Sequence, residues 1–394
     1  MFKLGLGQSP FPVPDAVVAA LRANADRKAY LSVQGLAELR ESVASYFFRS
    51  QRLDGDKDDV LIGPGSKELM FLLQLVYYGE IVIPTPAWVS YAPQAYIIGR
   101  NVAWLETRAS NGWQVTAEQL DAAWRADPSR PRLLVLNYPN NPTGGTYGVA
   151  ELEAIAEVAR RYKVLLLSDE IYGELHFEGL HTSIARFYPQ GTIVSSGLSK
   201  WCGAGGWRLG TFFFPRDLRW LLQAMAAVAS ETYTTTSAPI QYAAIRAFEG
   251  GTEIERYLRN SRRILGALVK WCYARLDAAR LHMHPADGAF YLFADFARHR
   301  AELERAGVTR SDQLCAKLLD DTGVAILPGV DFGRQPSELS ARLALVDFDG
   351  AKALIALNMM GAEAAVDERF LRDYCGPVLD AVNRVADWVE ALHR

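Results

Sequence analysis

Lys200 stands in the stretch "SSGLSKWCGAGGWRLG" (residues 195–210), among small, aromatic and apolar residues, with Arg208 eight positions further on. Removing an ammonium from water is expensive, so lysine is rarely buried without a partner or a task. Three other short stretches carry groups that could share that task. Asp169 and Tyr172 lie in "SDEIYG" (168–173), Asn141 in "NNPTGG" (140–145), and Gly65, Ser66 and Lys67 in "PGSKE" (64–68). Together they offer an amine, an acid, a phenol and an amide. If "PGSKE" opens a helix, they also offer free backbone N–H groups able to hold a phosphate.

The elements that must position these groups show in the hydropathy pattern. "DVLIG", "EIVIP", "NVAWL", "RLLVLN", "KVLLLSD", "TIVSSG" and "GTFFFP" are β-rich runs. Several are apolar at consecutive positions, as strands covered on both faces are. Between them lie helical stretches such as "SKELMFLLQLVYY" and "VAELEAIAEVARRY", whose apolar residues recur at three and four. This alternation predicts an α/β fold with a mostly parallel seven-stranded sheet between helices. After "FFFPRD" the pattern turns helical to about residue 280. A mixed region follows, with strand-like "AFYLFADF" and "ARLALVDF" before a last amphipathic helix, "YCGPVLDAVNRVADWVEALHR". The expected organisation is a large domain over 46–280 and a smaller α/β domain over 281–394, which the N-terminal segment 1–45 joins.

In open parallel sheets, ligands bind beyond the carboxyl ends of the strands. "RLLVLN" runs into "YPNNPTGG", "KVLLLSD" into "EIYGELHFEG", "TIVSSG" into "LSKWCGAGGWRLG", and "DVLIG" into "PGSKELM". The polar clusters therefore surround one crevice. Their combination fits pyridoxal 5′-phosphate, which needs a lysine for its Schiff base and an acid against its pyridine nitrogen.

In their order along the chain, "NNPTGG", "SDEIYG", "SKWCGAGGWRLG" and a late "ARLAL" resemble the class I/II aminotransferases of the aspartate aminotransferase superfamily, fold type I. The resemblance runs from about residue 4 into the C-terminal region. It implies a ping-pong enzyme that moves an amino group from an L-amino acid, dicarboxylic or aromatic, to a 2-oxo acid. Lys200 would carry the cofactor as the Schiff base and shuttle the proton, and Asp169 would keep the pyridine nitrogen protonated. Tyr172 and Asn141 would hydrogen-bond the cofactor's phenolic oxygen, and Trp88 would stack on its ring. Arg208, with Gly65, Ser66 and Lys67 at the helix start, would hold the phosphate. Arg342 would grip the substrate α-carboxylate through two parallel hydrogen bonds. Gly7 would approach the same carboxylate, and Asn141 and Trp88 would also face the substrate. Lys67 falls where one subgroup that accepts dicarboxylic substrates carries a lysine near the distal carboxylate. Tyr30 would reach the phosphate of a neighbouring subunit, which implies a homodimer with shared active sites. One position departs from the pattern. Many relatives place a serine or threonine three residues before the lysine, where this chain has Gly197, leaving Ser195, Ser196 or Ser66 to take its part.

Each residue taken singly has a plainer reading: a snorkelling lysine, a helix-capping Asp169, a turn-forming Asn141, a core Trp88, a surface Arg342. The aromatics Phe11, Trp88, Tyr91 and Phe332 would equally suit an aromatic donor. A pyridoxal-phosphate-dependent lyase or synthase, such as a C–S β-lyase, shares the constellation and stands as the alternative.

Composition excludes other classes. The 394 residues are 50% hydrophobic with a formal net charge of −3, which gives no electrostatic reason for a nucleic acid or anionic membrane partner. Cys202, Cys272, Cys315 and Cys375 are scattered, which argues against a disulfide framework or zinc site and for a reducing cytoplasm. The histidines form no metal grouping with carboxylates. No run approaches the length of a membrane span, and the N-terminus reads as no signal peptide.

Overall fold

The computed structural model of the protein describes residues 1–393. After a short strand β1 (Phe2–Lys3), the chain forms β2 (Val60–Gly63), β3 (Glu80–Thr85), β4 (Val102–Glu106), β5 (Arg132–Asn137), β6 (Leu165–Asp169), β7 (Thr192–Gly197) and β8 (Gly210–Phe213). The last seven make one sheet of order β2-β8-β7-β6-β5-β3-β4. All seven strands expected from the sequence are present in it.

The sheet's central strands β5, β6 and β7 are buried at every position. Their side chains alternate between two cores. Leu165 and Leu167 pack with Leu69, Leu73, Leu221 and Met225 from the helices Ser66–Val76 and Arg219–Glu231. Leu166 packs on the other face with Leu120, Leu152 and Ile155 from the helices Ala117–Trp124 and Val149–Arg161. Burial on both faces is why these strands read as continuous apolar runs rather than alternating ones.

β8 is the one strand of this sheet that runs against its neighbours, pairing antiparallel with both β7 and β2. Residues 198–209, which join β7 to β8, hold only one turn of 3₁₀ helix, at Gly205–Trp207. A parallel return would need a crossover, usually helical. The direct return instead keeps Lys200 and Arg208 at the carboxyl end of β7.

The remaining strands are β9 (Tyr291–Asp295), β10 (Val324–Ala325), β11 (Leu327–Pro328) and β12 (Ser340–Ala344). β11, β12 and β9 form a small antiparallel sheet, and β10 pairs in parallel with β1. The chain start is thereby tied to the C-terminal region. The long helix Thr252–Ala278 packs on the last helix, Glu368–Ala391. That last helix begins earlier than the sequence pattern suggested. Asp367 accepts a hydrogen bond from Phe370 N at 2.9 Å, and the helix is interrupted at Cys375, just before Pro377. Proline lacks the N–H that would continue the ladder. Among the described residues no helix is long and apolar enough to cross a membrane.

Gly197 and Gly210 face each other across the β7–β8 pair. A Cβ on Gly197 would lie 2.7 Å from Leu209 O and 3.0 Å from Gly210 Cα, with no side chain there to yield. Gly197→Ser should therefore lower the urea midpoint, by the ~1–3 kcal/mol that overpacking costs. A variant as stable as the parent would show that the strand pair has room for a side chain.

Candidate active site

A cavity of about 540 Å³ opens beyond the carboxyl ends of β5, β6 and β7. Nine of the residues singled out from sequence line it: Gly7, Ser66, Lys67, Trp88, Asn141, Asp169, Tyr172, Lys200 and Arg208. Gly65 and Arg342 stand directly behind its wall, in contact with lining residues. Tyr30 is not brought to the cavity of its own chain and is 89% exposed.

Lys200 projects from the β7–β8 return and donates from Nζ to the Gly7 carbonyl at 2.6 Å. Burial lowers its pKa to about 8; Arg342, Arg208 and Lys67 push the same way, and Asp169 opposes them. The amine is thus neutral far more often than an exposed lysine near neutral pH.

Asp169 is the last residue of β6 and is 3% exposed. It does not cap a helix. Its Oδ2 accepts a hydrogen bond from the Tyr91 hydroxyl at 2.5 Å. Burial raises the pKa of Asp169 to about 6, with Glu170 adding to the rise, while Tyr91, the Ile171 N–H and Lys200 restrain it. Asn137 Nδ2 donates to the Asp169 carbonyl at 2.8 Å, and its Oδ1 accepts from Asn141 N at 2.8 Å. One side chain at the end of β5 therefore fixes both the acid and the amide.

The anion cradle is built from two directions. Gly65 precedes the helix Ser66–Val76 with φ 94°, a conformation that favours glycine. A Cβ there would sit 2.2 Å from Arg208 Nη2, so the guanidinium lies against the helix start. The free N–H groups of that helix and the arginine converge on one spot, a combination suited to phosphate. Ser66 and Ser199 line the cavity, whereas Ser195 and Ser196, raised from sequence as substitutes for the side chain missing at Gly197, do not.

Lys67 Nζ lies 5.1 Å from the Trp88 ring centre, and Trp88 meets Tyr91 edge to face at 5.2 Å. Arg342, on β12, is only 4% exposed, which removes the reading of a surface arginine. Its Nη1 donates to Asn141 Oδ1 at 2.9 Å and its Nη2 to the Gly5 carbonyl, while Nε is left without a partner. A buried guanidinium with an unpaired N–H has capacity left for a carboxylate.

Several residues here escaped the sequence reading. Tyr91 was noticed only as an aromatic, yet it holds the buried acid. It stands three residues after Trp88, where the turn that follows "PTPAW" opens the helix Tyr91–Ile97, and that spacing is the available signal. Asn137 and Gln8 line the cavity without any motif to mark them, and Ser199 lines it from inside "SKWCGAGGWRLG" without having been assigned a role. Tyr291, whose hydroxyl is 2.7 Å from that of Tyr172, reaches the site through strand pairing and carries no local signal. Among the described residues no cluster of three or more His, Cys, Asp or Glu could hold a metal ion.

The set suits a flat, phosphorylated aldehyde with a ring nitrogen. It presents a half-buried amine of lowered pKa, a buried acid, a tryptophan face, and a phosphate cradle at one end. The comparisons agree with that chemistry. Residues 1–347 match the family described as aminotransferase class I and II. An aspartate aminotransferase from Geobacillus stearothermophilus is 34% identical over 340 residues, 84% of each chain. An asparagine–oxo-acid transaminase from Streptococcus mutans is 32% identical over 348 residues, again 84% of each. A solved Thermus thermophilus aspartate aminotransferase, a double mutant, superposes with a TM-score of 0.83 at 26% identity, covering 98% of this chain and 91% of that one.

The lowered pKa of Lys200 has a direct test. Because the neutral amine is the reactive form, labelling of Lys200 in the cofactor-free protein by a small amine reagent should rise with a midpoint near pH 8. Exposed lysines should follow the ordinary value near 10.4. A Lys200 midpoint in that ordinary range would mean that burial and the neighbouring cations do not depress its pKa.

Proposed function

The chain belongs to the class I and II aminotransferases, and on that premise we propose that its amino donors are dicarboxylic amino acids. It is an enzyme of fold type I that moves an amino group from an amino acid to a 2-oxo acid. The lyase or synthase alternative is not favoured, since the relatives above are named transaminases.

The cofactor of this reading is pyridoxal 5′-phosphate, which when bound supplies an aldehyde to take up the amino group and a ring to accept electrons from Cα. Lys200 would hold the cofactor through Nζ, and the same nitrogen, when free, would take and return the Cα proton of the substrate. A pKa of about 8 suits a group that must both accept and return a proton near neutral pH. Asp169, buried and fixed by Tyr91, would stand against the ring nitrogen. Tyr172 and Asn141 would donate to the phenolic oxygen, and Trp88 would cover the ring and exclude water. Arg208, Gly65 and Ser66, with the N–H of Lys67, would hold the phosphate. The observation that carries this reading is the convergence of Lys200, Asp169 and Arg208 on one cavity.

Arg342 and Gly7 take the α-carboxylate. The Lys67 ammonium, beside Trp88, takes the distal carboxylate. The name of the aspartate aminotransferase supports that choice over an aromatic donor. In this reading the cofactor groups belong to residues 46–280, and the carboxylate grip to 1–45 with 281–394. The exposure of Tyr30 supports a homodimer in which it reaches the partner's phosphate. A cytoplasmic location belongs to the same reading.

The test is the visible spectrum of the protein loaded with pyridoxal phosphate, as single amino acids are added without any 2-oxo acid. Aspartate and glutamate should convert the band to that of the aminated cofactor, and Lys200→Ala should bind cofactor yet not turn over. Near-normal turnover in that variant would sink the assignment. Lys67→Ala should raise KM for aspartate and glutamate roughly tenfold, as loss of a charge partner does, and leave apolar donors unchanged. An equal loss for every donor would remove the distal role.

A further inference from the structure

We propose that Tyr291 is a positioning residue for this reaction, one side chain that holds the Tyr172 phenol with its hydroxyl and the Arg342 guanidinium with its ring. The inference rests on the roles of Tyr172 and Arg342 proposed above.

The antiparallel register places Arg342 opposite Phe293 and Ala344 opposite Tyr291. Residues two apart on a strand share a face, so Tyr291 is the diagonal neighbour of Arg342. Its ring centre lies 4.7 Å from Arg342 Cζ, with Phe332 at 5.0 Å as a second aromatic contact. Its hydroxyl lies 2.7 Å from that of Tyr172. A Cβ added to Gly7 would fall 2.1 Å from the same hydroxyl. Gly7 therefore lacks a side chain because Tyr291 occupies the space, and the Gly7 carbonyl in turn accepts from Lys200. One fully buried phenol thus touches the supports of the phenolic-oxygen site, the carboxylate grip and the amine.

Two hydroxyls at hydrogen-bond distance share one proton between them and leave the other free. Tyr172 can aim its own proton into the cavity only while its oxygen accepts from Tyr291. An O–H whose oxygen accepts a hydrogen bond is also the stronger donor. Burial raises both phenol pKa values, so both protons are retained at neutral pH.

Three variants of the cofactor-loaded enzyme separate the two halves of the proposal. Hydrogen bonds donated to an oxygen favour its anionic form, so losing one raises the pH at which the visible band changes. Tyr291→Phe keeps the ring. It should raise that midpoint and lower kcat roughly fivefold, the worth of one hydrogen bond, with KM for the donor unchanged. Tyr172→Phe should raise the midpoint further, and the double variant no further than Tyr172→Phe alone. Tyr291→Leu removes the ring as well and should add a roughly tenfold rise in KM, as loss of a buried cation–π contact does. A Tyr291→Phe enzyme with unchanged midpoint and kcat, or a double variant whose shifts simply add, would overturn the proposal. A silent Tyr172→Phe would instead strike the proposed role of Tyr172 itself, and the hydroxyl half of this inference would fall with it.

Discussion

Two adjacent carboxylates, Asp169 and Glu170, are buried at the end of the central strand β6, and much of the surrounding structure answers that one cost. A buried charge must be paired or hydrogen-bonded, or the group shifts its pKa and becomes neutral. The two acids point into different surroundings and are treated differently. Glu170 is met by Ser168 Oγ at 2.7 Å, Ser183 Oγ at 2.6 Å and His181 Nε2 at 2.8 Å, a closed polar cluster beneath the site. Asp169 receives the Tyr91 hydroxyl and one long backbone contact, and its remaining capacity faces the cavity. Of the two acids, Asp169 is therefore the one with hydrogen-bonding capacity left toward the cavity.

The charges around the cavity are unbalanced in one direction. Lys67, Lys200 and Arg208 line it and Arg342 stands behind it, against Asp169 as the only lining carboxylate among the described residues. Without an anion present these cations oppose one another, which is part of why the Lys200 pKa falls. A phosphate at one end and a substrate carboxylate at the other would relieve that repulsion. Arg208 stands at the end of the large sheet and Arg342 on the small one. In the proposed reading, reacting atoms between them would be oriented by both.

The parts of this arrangement legible in the sequence are those written locally. Seven β-rich runs became the seven strands of the sheet, and the central ones read as continuous apolar stretches because they are buried on both faces. "NNPTGG", "SDEIYG" and "SKWCGAGG" sit at strand ends, where a ligand crevice must be. What the sequence could not show depends on register between distant segments. Tyr291 meets Tyr172 across 119 positions of chain, and Tyr91 meets Asp169 across 78. The antiparallel direction of β8 was likewise hidden, since a β-rich run carries no arrow. The crowding at Gly7 and Gly197 belongs to the same class: each glycine is required by an atom that sequence proximity does not reveal.

The return from β7 to β8 has one more implication, for how this chain can vary. Residues 198–209 are clamped at both ends by the Gly197–Gly210 pair, and Gly210 itself lies against the backbone of Ser66. A one-residue insertion or deletion in the return cannot be absorbed by slipping the strands, because a slip turns every side chain of β8 to the opposite face. Neither can it be absorbed outward, because Gly203 presses on the backbone of Phe11 and Pro12. The length of this segment is therefore as constrained as its composition. Among descendants of this sequence, changes here should be substitutions rather than gaps.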